Sequence, residues 1–386
     1  MVSIIGAGPA GCAVAYLLAK NSNNKGKINT DRINIDEVNI YEEHKSVGEP
    51  VQCTGIVSSE FRRLVRLRPE FVVNKIYNAR IFSPNGNNIE ISFRKPNIIL
   101  DRWAFDNHLA EKAESAGARI NLDSKFLRLE GNTIVIRKQK KLIRVDNNKN
   151  NILIGADGPN SSVARAAGMT GRRKFLFGAQ AVVRIDNDNA VEFYPHIGTF
   201  GWVVPENDRT ARVGVLAYSD TPREFRKLLK LKGIRKSKII EKQGGIVPVY
   251  NNSIQTYKRL GNNGNKRGLE IFLLGDAASQ VKATTGGGIV QGLTYAKSLA
   301  DSILYKKDYE KQWKKEISMD LWMHLKARNI MDRFSNKDWN RLIEIFSAKK
   351  NREVLGKIER DNFSKLILRL ALQEPRLWQF AGRLFR

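Results

Sequence analysis

Six stretches of this 386-residue chain hold residue types whose spacing could do chemistry. The first is Gly6-Ala7-Gly8-Pro9-Ala10-Gly11, a G-x-G-x-x-G run. Glu42 closes the apolar stretch Val38-Asn39-Ile40-Tyr41. Asp157-Gly158 and Gly275-Asp276 each follow a run of β-type apolar residues. Gly286-Gly287-Gly288-Ile289 opens a helical pattern. A lone thiol, Cys53, sits in a Gly/Pro-punctuated loop between Val47 and Val57. Glycines let backbone approach a ligand closely, and carboxylates at strand ends accept hydrogen bonds from sugar hydroxyls. Bare N–H groups at a helix start suit phosphates or an electron-rich ring.

The elements that must position these residues can be read outward from the first line. Val2 to Ile5 reads as a short buried strand, and Ala13, Val14, Leu17 and Leu18 recur at helical spacing after it. Gly6 allows the tight turn, Gly8 the approach of a pyrophosphate, and Gly11 the close packing of helix on strand. Pro9 and Ala10 complete that turn. Ile152 to Gly155 and Leu269 to Leu274 are further buried strands, each delivering an aspartate to the C-terminal edge of a sheet. Asp157 reads either as a hydroxyl acceptor or as a structural turn residue. Glu42 should accept from an adenosine ribose and Asp276 from a ribityl chain. Glu43 would point to the opposite face of its strand. Taken in this order, the turns fit one extended ligand, FAD, bound non-covalently.

The predicted fold class is mixed α/β: a Rossmann-type FAD-binding domain, an inserted antiparallel β-sheet substrate domain and a C-terminal helical region. The dinucleotide-binding pieces fall at 1–75, 95–168 and 266–305. The β-rich pieces fall at 76–94 and 169–265, with one basic helix from about Thr221 to Leu231, and the helical region at 306–386. The Asn/Lys-rich stretch Asn21 to Arg32 reads as a surface loop, and Asn147 to Asn151 as a polar turn. With 42% hydrophobic residues the chain can bury a large core, which excludes a disordered protein. Two cysteines, Cys12 and Cys53, exclude a disulfide framework and point to a reducing, cytoplasmic setting. Cys12 reads as a packed apolar residue. Four scattered histidines give no metal-ligand spacing, so no metal is expected.

At this point the sequence resembles the aromatic-hydroxylase superfamily of flavoproteins, and within it the archaeal geranylgeranyl reductases. Pro50-Val51-Gln52-Cys53-Thr54-Gly55 resembles the family's P-V-x-C segment beside the flavin. Phe200-Gly201-Trp202-Val203-Val204-Pro205, with Val213-Gly214 after it, resembles Y-x-W-x-F-P…G. Gly275 to Ile289 resembles G-D-A-A…T-G-G-G-I, and Asp101-Arg102…Phe105-Asp106 resembles the D-R-x-x-F-D segment that lays an arginine, here Arg102, near FAD. Phe200 and Val204 depart from the usual Tyr and Phe, and Ala283 stands where a proline is common. The resemblance implies saturation of the geranylgeranyl double bonds of archaeal lipid precursors, by hydride transfer from reduced flavin and addition of a proton. It implies Cys53 at the reacting junction, and a substrate pocket walled by Val51, Gly55, Phe200, Trp202 and Pro205. An external electron donor is required: ferredoxin, a nicotinamide or a deazaflavin.

A flavin monooxygenase of the same fold is the alternative. A quinone-linked electron-transfer flavoprotein would need an iron–sulfur cluster, which two cysteines cannot hold. The formal charge of +27 attracts polyanions of several kinds, including RNA and anionic lipid. The basic residues are spread along the chain, which argues against a nucleic-acid footprint. After Pro375, Leu377, Phe380, Ala381 and Leu384 share one helical face and Arg376, Gln379, Arg383 and Arg386 another. That is the pattern of a basic amphipathic helix in a bilayer interface, or of a helix packed on its own domain.

Overall fold

Val2–Ile5 lies at the heart of a six-stranded sheet, with every side chain buried. A computed structural model describes residues 1–22, 35–146, 152–261, 268–358 and 361–384. The sheet runs Tyr257–Leu260, Leu269–Leu273, Ile152–Gly155, Val2–Ile5, Val38–Tyr41, Arg119–Asn121. All neighbours are parallel except the Tyr257–Leu260 edge strand. The C-terminal ends of the three central strands thus bring Gly6, Ala156-Asp157 and Gly275-Asp276 to one edge, although they lie far apart in sequence. Helices Pro9–Ser22, Arg102–Ser115 and Ile289–Leu304 bury a common core against one face. The helix Pro9–Ser22 ends where the expected surface loop starts, and takes in its first two residues, Asn21 and Ser22. The rest of that loop, within residues 23–34, and the polar turn at 147–151, lie outside the described residues.

An eight-stranded sheet stands beside the first. It runs Ile239–Pro248, Phe175–Arg184, Thr210–Ala217, Phe200–Pro205, Ala190–Tyr194, Val72–Phe82, Asn88–Leu100, Ile56–Val57. It is antiparallel except where Ala190–Tyr194 pairs with Val72–Phe82 in parallel. That seam is where the two separately inserted segments of chain meet. The hairpin strands are longer than periodicity suggested, starting at Val72 and ending at Leu100 with register shifts on the way. A three-stranded meander of Ser124–Glu130, Thr133–Lys138 and Lys141–Asp146 covers a second core cluster. The basic helix is present at Thr221–Leu231.

The C-terminal region is helical throughout: Tyr309–Met331, Asn336–Ser347, Lys349–Lys357, Phe363–Gln373, then 3-10 turns over Pro375–Leu384. The helix Lys349–Lys357 presses on the strand Asn88–Leu100 at Gly356, where a Cβ would lie 2.3 Å from the Ser92 carbonyl oxygen. The terminal segment differs from the amphipathic α-helix expected of it. Phe380 is buried with its ring 4.9 Å from that of Phe334, and Leu377 packs on the Val354, Leu366 and Leu370 cluster. The apolar stripe is drawn inward because a core lies beneath it. Trp378 instead stands 62% exposed. The side chains of Ala381, Arg383 and Leu384, and residues 385–386, lie outside the description.

Candidate active site

Two clefts meet at the junction of the sheets. The larger follows the carboxyl edge of the parallel sheet, where α/β folds bind ligands. Gly6, Gly8, Pro9 and Ala10, Glu42, Arg102, Asp157, and Gly275-Asp276 with Gly286, Gly288 and Ile289 all line it. The other cleft is narrower and opens between the glycine turn and the eight-stranded sheet. Gln52, Cys53, Gly245, Val247, Gly286, Gly288 and Ile289 belong to both. A flat ring spanning the two clefts would therefore meet both Cys53 and the glycine turn.

Each glycine of the first turn has a separable task. Gly6 has φ +102°, and a Cβ there would lie 2.4 Å from the Ala156 carbonyl oxygen. A Cβ on Gly11 would lie 2.1 Å from the Gly6 oxygen, so this glycine seats the helix on the sheet and does not line the cleft. Gly8 has nothing within 4 Å of its Cβ position, leaving that side open to a ligand. Glu42 accepts the Ala7 N–H at 2.8 Å and the His44 N–H at 3.0 Å, which fixes its carboxylate in the cleft. Glu43 is exposed at the rim of the same cleft and pairs with Lys125 at 2.5 Å.

The three other charged residues singled out from the sequence behave differently. Asp157 accepts from Ser161 Oγ at 2.6 Å and from the N–H groups of Ser162 and Val163 at 2.6 and 3.1 Å. It thus caps the short helix Ser162–Ala166 while lining the cleft. Arg102 holds Asp106 through two hydrogen bonds, at 3.1 and 2.8 Å. Burial opposes the Arg102 charge, but Asp106 and then Cys53 outweigh it and hold the guanidinium above its ordinary pKa. The Asp276 carboxylate makes no hydrogen bond or ion pair with the described residues and abuts Gly288. Burial pushes its carboxyl up to about 6, partly offset by Arg102.

An acid in that state calls for hydroxyl donors. Together with the open Gly8 cradle and the fixed Glu42, it fits the ribityl, pyrophosphate and ribose parts of FAD. The sign of the pH effect follows. With its pKa raised, Asp276 adds stability to the free fold at low pH, and that contribution is lost as pH rises through about 6. Donors from a ligand favour the ionised form, so flavin should bind less well below that pH. Flavin fluorescence titrations should show affinity falling roughly tenfold from about pH 7 to pH 5. An Asp276→Asn protein should lack that dependence.

The narrower cleft is walled by Phe200, Trp202 and Val204, at alternate positions of one strand, with Phe193 and Leu216 beside them. The Phe193 and Phe200 rings stack at 5.3 Å. Pro205 does not line this wall. It follows Val204 and so faces the other side of the strand, and the period-2 geometry of a strand already dictated that. Val51 lines the cofactor cleft rather than the apolar one, and Gly287 the apolar one rather than the cofactor cleft. Gly55 lies where expected, with φ +72°. Gly214 explains its place in the motif: a Cβ there would lie 2.4 Å from Trp202 Cζ2, so the indole lies flat over bare backbone.

Two residues that hold the site were not picked out in advance. Gln180 Oε1 accepts from Thr54 Oγ1 at 2.6 Å and from Trp202 Nε1 at 3.0 Å, and its Nε2 donates to Gln243 at 2.6 Å. Arg212 Nη1 donates to the carbonyl oxygens of Thr54 and Leu100 at 2.7 and 3.0 Å, pinning the Cys53 loop. Both are buried polar residues within apolar strands, and a polar residue that interrupts such a run is the signal that marks them. Cys53 is half-buried, and its sulfur accepts the Gly55 N–H at 3.3 Å. Cys12 is fully buried, and burial pushes its thiol well up, as befits a packed residue.

The fold and site define a flavoprotein scaffold. Solved structures of a reductase-like protein and of flavin-dependent halogenases share this fold. A geranylgeranyl bacteriochlorophyll reductase-like protein from Thermoplasma acidophilum superposes with a TM-score of 0.75 at 21% identity, covering 96% of this chain and 98% of that one. Halogenase PltM, solved in complex with FAD, superposes at 0.56 and 15% identity over 88% and 78% of the two chains. By sequence the chain is similar to proteins named digeranylgeranylglycerophospholipid reductase. That of Methanocaldococcus jannaschii is 27% identical over 98% of this chain and 96% of its own length. That of Methanosarcina acetivorans is 28% identical over 89% and 87%. No protein-family model matches the chain. The resemblance read from the motifs is borne out over nearly the full length.

Proposed function

We propose that this protein is an FAD-dependent oxidoreductase that saturates isoprenoid C=C bonds of geranylgeranyl lipid precursors. The observation that carries the reading is the shared boundary of the two clefts, which Cys53 and the glycine turn both line. Bound FAD, once reduced by an external donor, supplies the hydride. The chain's own residues do the rest. Gly6, Gly8, Pro9 and Ala10 receive the pyrophosphate, Glu42 the ribose, and Asp276 the ribityl hydroxyls. Phe193, Phe200, Trp202, Val204 and Leu216 exclude water and align the alkene chain. Gln180 and Arg212 hold Trp202 and the Cys53 loop in register. Cys53 holds the proton delivered to the second carbon. No Ser-His-Asp arrangement is needed, since nothing polar requires activation. The test is anaerobic: an unsaturated isoprenoid lipid should reoxidise the reduced flavin, and its saturated analogue should not.

The substrate is a lipid, and we place the docking surface for an anionic membrane on the helix Phe363–Gln373, joined by Trp378 of the terminal segment, whose Nε1 donates to the Ala371 carbonyl oxygen at 3.1 Å. Leu368, Leu372 and Trp378 are 61%, 72% and 62% exposed. Lys350, Lys357, Lys365 and Arg369 share a groove with the two leucines. Each well-placed basic residue adds about 1 kcal/mol on anionic lipid. Among the described residues no helix is long and apolar enough to cross a membrane. A Leu368→Ser/Leu372→Ser/Trp378→Ser protein should pelleted less with phosphatidylglycerol vesicles than the parent. Equal pelleting removes this surface.

A further inference from the structure

A buried ion pair lies beneath the glycine turn. Lys282 frames the turn with its backbone: its N–H donates to the Gly287 oxygen at 3.1 Å, and the Gly286 N–H donates to the Lys282 oxygen at 2.9 Å. Its side chain folds back under the turn, so that a Cβ on Gly287 would lie 2.8 Å from Lys282 Cε and 3.2 Å from Nζ. The ammonium meets Asp361 at 2.5 Å, with the two side chains 5% and 6% exposed. Gln291 Nε2 donates to the same carboxylate at 3.0 Å, and the Ser58 hydroxyl donates to its other oxygen. Asp361 comes from the helical region, between Lys349–Lys357 and Phe363–Gln373. None of the steps above uses this pair.

Fastening a turn does not call for charge. Two buried ions are costly to desolvate, and a well-packed apolar pair would hold the backbone as firmly. What charge adds is a field, felt strongly in a poorly solvated site. The nearest feature to this field is the turn that lines both clefts. We infer that Lys282 and Asp361 are positioning residues that set the reduction potential of flavin bound against Gly286–Gly288, with the lysine, which itself lines the narrower cleft, acting more strongly than the aspartate behind it. The inference rests on the FAD reading.

Flavin gains electrons on reduction, so a nearby positive charge favours the reduced form and a negative charge the oxidised form. Removing one partner leaves the other uncompensated. Lys282→Met should lower the potential and Asp361→Asn should raise it. Lys282→Met should move the equilibrium constant for reduction about tenfold, which is about 30 mV for a two-electron couple, and Asp361→Asn by less. Lys282→Met/Asp361→Leu, with both charges gone, should fall between the parent and Lys282→Met. The measurement is reductive titration of the flavin-loaded full chain against indicator dyes. A merely structural pair would move both single variants the same way, and shifts of one sign, or none, overturn the inference. Should Lys282→Met not retain flavin, Asp361→Asn must still raise the potential and Lys282→Arg must leave it unmoved. A parent protein that binds no flavin overturns the FAD reading instead.

Discussion

Gly11→Val should abolish flavin binding and destabilise the fold, while Gly8→Ala should leave the fold intact and weaken flavin binding alone. Both glycines belong to one motif, but their surroundings are opposite. The space a side chain on Gly11 would need is filled by the Gly6 carbonyl oxygen at 2.1 Å. That neighbour is backbone, so the helix Pro9–Ser22 must lift from the sheet. Overpacking of this kind costs about 1–3 kcal/mol, or more where backbone cannot yield. The displaced helix start also carries the N–H groups offered to the pyrophosphate. Around Gly8 nothing lies within 4 Å, and an added methyl would stand in the ligand's space. Its cost should appear as at least a tenfold weaker Kd, about 1.4 kcal/mol. Thermal unfolding and flavin titration on the two proteins separate the cases. A Gly8→Ala protein with unaltered affinity would show that the ligand does not pass over this turn.

Cys53→Ala should lower alkene reduction by roughly a hundredfold or more, the scale of a lost general acid, while leaving reduction of the flavin by dithionite intact. The thiol is the ionisable group shared by both clefts within the loop that Arg212 pins. Cys53→Ser separates proton donation from shape, because the hydroxyl keeps the size and loses most of the acidity. Should serine and alanine both retain the parent rate in single-turnover assays, the proton comes from another group or from water.

The cofactor cleft was legible in sequence because its residues lie at the ends of strands, where a local pattern of strand, glycine and acid fixes position. Gly6, Gly8, Glu42 and Asp276 needed only that the strands share one parallel sheet. The apolar cleft was less so. Trp202 and Phe200 were readable, but Phe193 and Leu216 reach the wall only through cross-strand pairing, which sequence spacing does not disclose. Pro205 was misassigned although strand alternation alone puts it on the far side from Trp202 and Val204. Gln180 and Arg212 could have been marked as polar interruptions in apolar strands. Lys282 and Asp361 could not: they are 79 residues apart and meet only when the helical region closes on the turn. In the terminal segment the pairing of Leu377 with Phe380 on one face was legible, but the 3-10 winding was not, and a packed stripe and a membrane-facing stripe read alike until the core beneath is known.

The central claim is that the reduced protein saturates isoprenoid double bonds. Its most direct test is mass spectrometry of lipid products after anaerobic incubation of the flavin-loaded, dithionite-reduced protein with digeranylgeranylglycerophospholipid. The account predicts products heavier by one dihydrogen for each double bond reduced, formed by the parent protein and strongly diminished with Cys53→Ala. An unchanged lipid, together with flavin that is reoxidised by oxygen while an aromatic compound is hydroxylated, would contradict it and make the protein a monooxygenase.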